Sequence, residues 1–220
     1  MSERHVPNPF TIDYFLYGKE KGISNYENYH YMEPETVKYV EHLTRHLGLT
    51  SEDWIHDIGC SRGYVVKVLR MFGHEATGHD ISEWAISNCH PDVKGFVSNR
   101  CEYPENFVDW ITAKDVMEHW DDADLRMTLP KMYAMARKGC FFIVPLTAYW
   151  GGKYIYPADN EDKTHRIRMT LEDWMKMLME ATKGVSGNFS INGSFHMHGL
   201  KRASVDYPYS TGFFTVRRHP

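Results

Sequence analysis

The feature that most restricts the fold is a strict alternation of short apolar runs with helix-like segments between residues 53 and 146. The runs have the length of buried strands, and the segments between them repeat apolar residues at helical spacing. Alternation of this kind predicts β-α-β units, which build a parallel sheet with helices on both faces. The last unit predicts a helix over residues 122–139 followed by a strand over 140–146.

Two segments rich in aromatic residues flank this core. Residues 1–31 are too dense in Phe and Tyr for a solvated tail, so we expect them either to wrap over a sheet edge or to form a lid over bound molecules. Residues 147–168 form a long aromatic loop that is typical of a functional insertion. We therefore predict one folded domain over residues 32–220, carrying this insertion and preceded by the N-terminal segment 1–31.

Composition limits the class of partner. The chain has 25 Lys and Arg against 29 Asp and Glu, so it has no broad basic field for nucleic acid, and a small-molecule substrate is favoured. No apolar run reaches the roughly 20 residues of a membrane span, and the four cysteines form no C-x-x-C pair. We expect a soluble cytoplasmic protein with reduced thiols at Cys60, Cys89, Cys101 and Cys140. The sequence carries no signal for an oligomeric state.

The turn "DIGCSRG", residues 57–63, joins the first predicted strand to a helix. A dinucleotide loop needs G-x-G-x-x-G and a Walker loop needs G-x-x-x-x-G-K-[ST], whereas this turn has only Gly59 and Gly63. Asp80 ends the next strand, where a carboxylate can accept the hydroxyls of a ribose, as in NAD or in S-adenosylmethionine. Asp57 would repel a diphosphate but attract the ammonium of a methionyl group, so charge favours S-adenosylmethionine.

Three ordered stretches, "DIGCSRG", "GHDIS" and "DWITAKDVMEHW", resemble successive motifs of class I S-adenosylmethionine-dependent methyltransferases. The stretch "HRIRMTLEDWMKMLMEATKG" is similar, more loosely, to a segment of ubiquinone-biosynthesis-like members of that class. The resemblance implies a Rossmann-like class I methyltransferase fold, doubly wound and mostly parallel, with an antiparallel C-terminal strand. It also implies S-adenosyl-L-methionine as cofactor and methyl transfer as the reaction.

The resemblance further implies which residues hold the cofactor. Asp80 would bind the ribose diol, Ile81 would pack on the adenine, and the turn after the first strand would hold the methionyl end. Ser61 stands where many members have glycine, and Asn99 replaces a usual acid near the adenine amino group. The implied cofactor-binding residues are Asp57, Gly59, Cys60, Ser61, Gly63, Asp80, Ile81, Asn99, Arg100, Asp115 and Val116.

The reaction implied is an in-line attack on the methyl carbon, and an oxygen nucleophile also needs a proton acceptor. His119 and His165 are the histidines nearest the predicted strand ends, and each has an alternative structural role as a hydrogen-bonding or loop-anchoring residue. Glu118 and Asp162 are placed to orient either imidazole. His196 and His198 lie on one face of a predicted strand, but two histidines without a third spaced ligand are a weak metal signal, and we predict no metal.

The sequence predicts only the chemical class of the molecule that accepts the methyl group. Tyr26, Tyr29, Tyr149 and Trp150 are the candidate substrate-binding residues, since aromatic rings suit a planar molecule or a sugar. O-methylation of a sugar or an aromatic metabolite is the first hypothesis, on family analogy, and N-methylation of a small amine or sugar amine is the alternative. A cofactor-binding module without activity is a further alternative. A nucleic-acid methyltransferase is disfavoured by the acidic balance and by the lack of an N-P-P-Y-like motif.

Overall fold

The computed structural model describes residues 8–100, 102, 104–197, 199–201 and 206–220. The strands in these ranges are β1 (Trp54–Ile58), β2 (Glu75–His79), β3 (Val97–Ser98), β4 (Val108–Lys114), β5 (Ala136–Pro145), β6 (Asn188–Ser194) and β7 (Thr211–His219). They form one sheet in the order β3-β2-β1-β4-β5-β7-β6. Strands β1 to β5 are parallel, and β7 is antiparallel to both β5 and β6. The predicted doubly wound, mostly parallel sheet with an antiparallel C-terminal strand is confirmed.

The helices cover both faces of the sheet. They are α1 (Ile12–Leu16), α2 (Glu33–Leu47), α3 (Tyr64–Met71), α4 (Glu83–Ser87), α5 (Asp122–Met135) and α6 (Leu171–Ala181). Alternate residues of β5 point to opposite faces, so Phe141 and Ile143 pack in the core with α2 and α3, while Phe142 and Val144 pack with α5 and α6. The near-continuous apolar run of β5 follows from this burial on both faces.

Capping residues define where α6 begins and where α2 ends. Thr170 precedes α6, its hydroxyl accepts the backbone N–H of Asp173, and the Asp173 carboxylate accepts the backbone N–H of Thr170. This reciprocal pair satisfies two backbone donors that the first helical turn leaves open, and such a cap stabilises a helix by about 1 kcal/mol. Gly48 ends α2 in the left-handed conformation, with φ of 70°, which glycine adopts without steric cost.

The predicted boundary between α5 and β5 is wrong by four residues. The helix ends at Met135, and β5 begins at Ala136, which pairs with Val108. The guanidinium of Arg137 lies 2.9 Å from the Asp109 carboxylate, and Lys138 is paired with Asp53. These cross-strand ion pairs hold a segment of good helix formers in the sheet, so tertiary pairing overrides local propensity. At one edge of the sheet, β3 is only two residues long and pairs in parallel with β2.

None of the helices in the described ranges is both long and apolar enough to cross a bilayer. Cys60, Cys89 and Cys140 are free thiols, as predicted. Cys101 lies outside the described residues.

Candidate functional site

An open cleft of about 2100 Å³ lies at the carboxyl ends of β1, β2 and β4. Single-ligand pockets are usually about 300–1,000 Å³, so this cleft has room for a cofactor and a second molecule. Gly63 and Arg100, predicted to bind the cofactor, do not border it. The predicted cofactor residues that do border it are Asp57, Gly59, Cys60, Ser61, Asp80, Ile81, Asn99, Asp115 and Val116.

The turn after β1 packs directly against the residue that follows β4. Gly59 has φ of 71°, and a Cβ added there would lie 2.3 Å from Cγ2 of Val116. Only glycine therefore permits this approach. Ser61 also has a positive φ, of 49°, and its backbone N–H donates to the Asp80 carboxylate at 2.8 Å.

Asp80 is fixed at the end of β2 by two backbone donors. Its second oxygen accepts the N–H of Ser82 at 2.8 Å, and the side chain is buried. Each carboxylate oxygen has a further lone pair, so this orientation still permits hydroxyl donors from the cleft. Ile81, the next residue, is 64% exposed beside the cleft and offers an apolar surface for a flat ring. The two side chains together fit a nucleoside.

Asp57 is a buried acid at the end of β1. The Thr112 hydroxyl donates to its Oδ1 at 2.7 Å. Burial raises the pKa of Asp57 to about 7, since few donors compensate for the water that the carboxylate loses. A cationic group bound beside it would restore its charge, which suits the ammonium of a methionyl tail.

Asp115, which follows β4, is clamped by two lysines. Its Oδ2 lies 3.0 Å from Nζ of Lys114, and its Oδ1 lies 2.6 Å from Nζ of Lys201. Burial alone would raise the pKa of Asp115, but the two ammonium groups outweigh burial and hold it well below the usual range. The clamp holds a non-glycine residue in the left-handed region, with φ of 56°. Lys201 was not identified from the sequence.

Beside Asp115, Glu118, His119 and His165 form a group that we call the imidazole cluster. Glu118 and His119 belong to a 3-10 turn, Met117–His119, that follows β4, whereas His165 comes from the 147–168 insertion. The two rings meet edge to face, with centroids 4.7 Å apart. His119 borders the cleft, and His165 lies behind it. The structure thus brings together both histidines that the sequence singled out.

The hydrogen bonds around the rings fix their protonated nitrogens. The Thr164 hydroxyl donates to Asp162, so it accepts from Nδ1 of His119 at 2.7 Å. Nδ1 of His165 lies 2.8 Å from the backbone carbonyl of Asp159, which can only accept. In both neutral rings the lone pair is therefore on Nε2.

Glu118 is the most deeply buried member of the cluster. Glu118 is 1% exposed, and its Oε2 has no hydrogen-bond partner among the described residues. Burial, reinforced by the nearby Asp115, raises the pKa of Glu118 well above its usual range. Burial, reinforced by His165, holds the pKa of His119 below its usual range. His196 borders the cleft, and His198 lies outside the described residues.

Residues 8–31 form one wall of the cleft. The Tyr14 hydroxyl donates to Asp162 at 3.0 Å, and the Phe10 ring meets His119 edge on with centroids 5.3 Å apart. Tyr26 and Tyr29, two of the four candidate substrate-binding residues, also border the cleft. The other two candidates, Tyr149 and Trp150, are 67% and 59% exposed and do not border it.

The segment is anchored on both sides of the cleft. On the sheet side, the Asn8 amide donates to the Ile81 carbonyl at 2.7 Å. On the insertion side, the Asn25 amide donates to the Ala158 carbonyl at 2.6 Å. Residues 8–31 therefore bridge the end of β2 and the 147–168 insertion.

Comparison with known proteins agrees with the fold. Residues 30–192 match the sequence pattern of the family described as "Methyltransferase domain". No curated protein matches the sequence. An S-adenosylmethionine-dependent methyltransferase from Archaeoglobus fulgidus is similar in structure, with a TM-score of 0.57 at 17% identity over 82% of this chain and 92% of that chain.

Two other solved structures share the fold. Magnesium protoporphyrin IX methyltransferase from Synechocystis PCC 6803, with bound SAM, has a TM-score of 0.58 at 14% identity over 84% of this chain and 81% of that one. A plantazolicin methyltransferase, in complex with a triazolic desmethylPZN analog and SAH, has a TM-score of 0.62 at 13% identity over 86% of each chain.

Proposed function

The chain belongs to the methyltransferase-domain family, whose methyl donor is S-adenosyl-L-methionine, and from this premise we propose that it methylates a hydroxyl of a small molecule. The acceptor class that we propose is a sugar or an aromatic metabolite. The observation that carries the proposal is the position of His119, whose ring borders the cleft beside Asp115 and Val116. A proton acceptor at that point suits an oxygen nucleophile, which loses its proton as the methyl group is transferred.

We assign the cofactor to the side of the cleft formed by β1 and β2. Asp57 faces the ammonium of the methionyl tail, Asp80 accepts the ribose hydroxyls, and Ile81 packs on the adenine. Gly59 supports this assignment because it leaves no side chain between the turn and Val116. The cofactor supplies the activated methyl group, and the protein aligns it and excludes water.

We assign the acceptor to the side formed by residues 8–31, which act as a lid. The Phe10, Tyr26 and Tyr29 rings border the cleft and can stack on a planar or sugar ring. The volume of the cleft, about 2100 Å³, supports two ligands bound together. Two proteins of the same fold are named for methylating a porphyrin and plantazolicin, which supports a small-molecule acceptor.

His119 and His165 have different parts in this proposal. His119 takes the proton of the acceptor hydroxyl at Nε2, because Nδ1 already carries a proton and donates it to Thr164. His165 does not border the cleft and packs against the His119 ring, so it acts as a positioning residue.

An acceptor screen tests the proposal. Purified protein is incubated with S-adenosylmethionine and panels of sugars, phenols, amines, DNA and RNA, and S-adenosylhomocysteine release is measured. We expect release with members of the sugar or phenol panel, and NMR of the product should place the methyl group on oxygen. Release only with amines, or only with nucleic acid, would replace the proposed acceptor class.

A further inference from the structure

The imidazole cluster has the geometry of a metal site. One ligand atom each from Glu118, His119 and His165 lies within 4.8 Å of the other two. Three ligands bonded at about 2.1 Å to one tetrahedral cation lie about 3.4 Å apart. Side-chain movements of up to about 1 Å therefore bring all three atoms into one coordination shell.

Both imidazoles are already oriented for a cation. Metal-binding histidines usually donate the second ring N–H to a protein acceptor, which fixes the nitrogen that binds. His119 donates from Nδ1 to Thr164, which is held by Asp162, and His165 donates from Nδ1 to the Asp159 carbonyl. The Nε2 lone pairs are thus left for binding.

Glu118 gives independent support for a ligand. Its side chain is 1% exposed, and Oε2 has no hydrogen-bond partner in the part of the chain that the structure describes. Buried polar atoms without a partner are rare because they lose water and gain nothing in exchange. A cation in the cluster would satisfy this oxygen.

We propose that Glu118, His119 and His165 bind one divalent first-row transition-metal cation. Two imidazole nitrogens and one carboxylate oxygen suit Mn²⁺, Fe²⁺, Co²⁺ or Zn²⁺, whereas Mg²⁺ and Ca²⁺ favour shells of oxygen alone. The bound ion ties the 147–168 insertion to the end of β4, next to the cleft.

Cation binding and the proposed proton transfer are alternative states of the imidazole cluster. A nitrogen that binds a cation cannot accept a proton, so His119 takes the acceptor proton only in protein without the ion. The site itself requires neither the cofactor nor the acceptor. Its binding can therefore be measured in their absence, and failure of one proposal leaves the other standing.

Binding is tested on full-length protein without a histidine tag, after treatment with a chelator. Titration with Mn²⁺, followed by electron paramagnetic resonance, should show one saturable equivalent. Zn²⁺ at a concentration 100 times its Kd should raise Tm by roughly 5–10 °C. Absence of a saturable equivalent for both ions would overturn the proposal.

Variants assign the ligands. Glu118→Gln keeps the shape of the side chain, so metal-free Tm should stay within a few degrees of the wild type while Mn²⁺ affinity falls at least roughly 100-fold. His165→Ala should weaken binding by a similar factor. His219→Ala, at the distant end of β7, is the matched control and should bind like the wild type. Unchanged affinity in Glu118→Gln, or an equal loss in His219→Ala, would refute the assignment.

Discussion

Nζ of Lys201 lies 2.6 Å from Oδ1 of Asp115, and this contact joins a residue beyond β6 to the residue that follows β4. Each side chain of the pair is only 27% exposed, so solvent screens the pair weakly. We predict that Lys201→Gln lowers the free energy of unfolding by about 1–3 kcal/mol, because Asp115 keeps only one cationic partner. Urea denaturation at pH 7 measures the change. Lys19→Gln, whose exposed pair with Glu27 is at 3.3 Å, is the control and should have little effect.

Asp80 provides the clearest test of the cofactor assignment. Asp80→Asn keeps the size of the side chain and one acceptor oxygen, but it removes the charge that strengthens bonds to a ribose diol. We expect S-adenosylmethionine to bind about 1–3 kcal/mol more weakly, or roughly 5- to 150-fold, by calorimetry. Asp92→Asn, an exposed acid outside the cleft, should bind like the wild type. Equal affinities in all three proteins would remove the ribose role of Asp80.

The sheet could be predicted because its signal is local. The run from Cys140 to Leu146 is apolar on both faces, which indicates a buried parallel-sheet strand. The start of β5 could not be predicted, because Ala136, Arg137 and Lys138 favour helices and are held in the sheet by residues about 28 to 85 positions away.

Some residues of the site could also be predicted from the sequence, and others could not. The carboxyl ends of parallel strands meet at one edge, so the residues after β1, β2 and β4 could be placed together from sequence order. Lys201 belongs to the site because it contacts Asp115, which is 86 positions away in the sequence. No sequence pattern predicts such a contact. The aromatic composition of the insertion suggests that Tyr149 and Trp150 belong to the site, yet both lie at the surface. Composition does not specify the direction in which a loop runs.

Asp57 should make cofactor affinity depend on pH. Its pKa is raised to about 7 by burial, so below pH 7 the carboxyl is protonated and must lose a proton to pair with the ammonium. Affinity should therefore fall about five- to tenfold between pH 7.5 and pH 6, measured by calorimetry. Asp57→Asn should bind more weakly and lose this dependence. A wild-type affinity that is constant over this range would exclude contact between Asp57 and the ammonium.

His56 and His79 should limit stability in acid. Nε2 of His56 lies 3.1 Å from Nδ1 of His79, and burial lowers the pKa of His56 to about 3 and that of His79 to about 4. The unfolded chain binds protons at these rings near pH 6.5, whereas the folded chain does not. The free energy of unfolding therefore falls as the pH drops from 6.5 toward 4. Each ring contributes a loss of about 1.4 kcal/mol per pH unit.

The His56→Gln variant isolates this effect. Thermal or urea unfolding at pH 4.5, 5.5 and 6.5 should give a stability difference from the wild type that changes steadily with pH. The variant should lose less stability in acid, since one of the two rings no longer takes up a proton on unfolding. Parallel pH profiles for the two proteins would contradict the prediction.

His119 should affect turnover far more than cofactor binding. His119→Ala removes the group that borders the cleft, so we expect kcat to fall roughly 100-fold or more with an acceptor found by the screen. His165→Ala should lower kcat less, because the ring that it supports remains. Both variants should bind S-adenosylmethionine within about twofold of the wild type if the cofactor is on the β1 and β2 side.

The measurement on His119 uses chelator-treated protein, in which Nε2 of the ring carries no cation. His219→Ala is the control and should turn over like the wild type. An unchanged rate in His119→Ala would mean that the acceptor does not transfer a proton to the imidazole cluster. That result fits an amine acceptor, which attacks the methyl group in its neutral form. A large loss in rate together with unchanged cofactor affinity would instead place proton removal at His119, since a general loss of structure would weaken both.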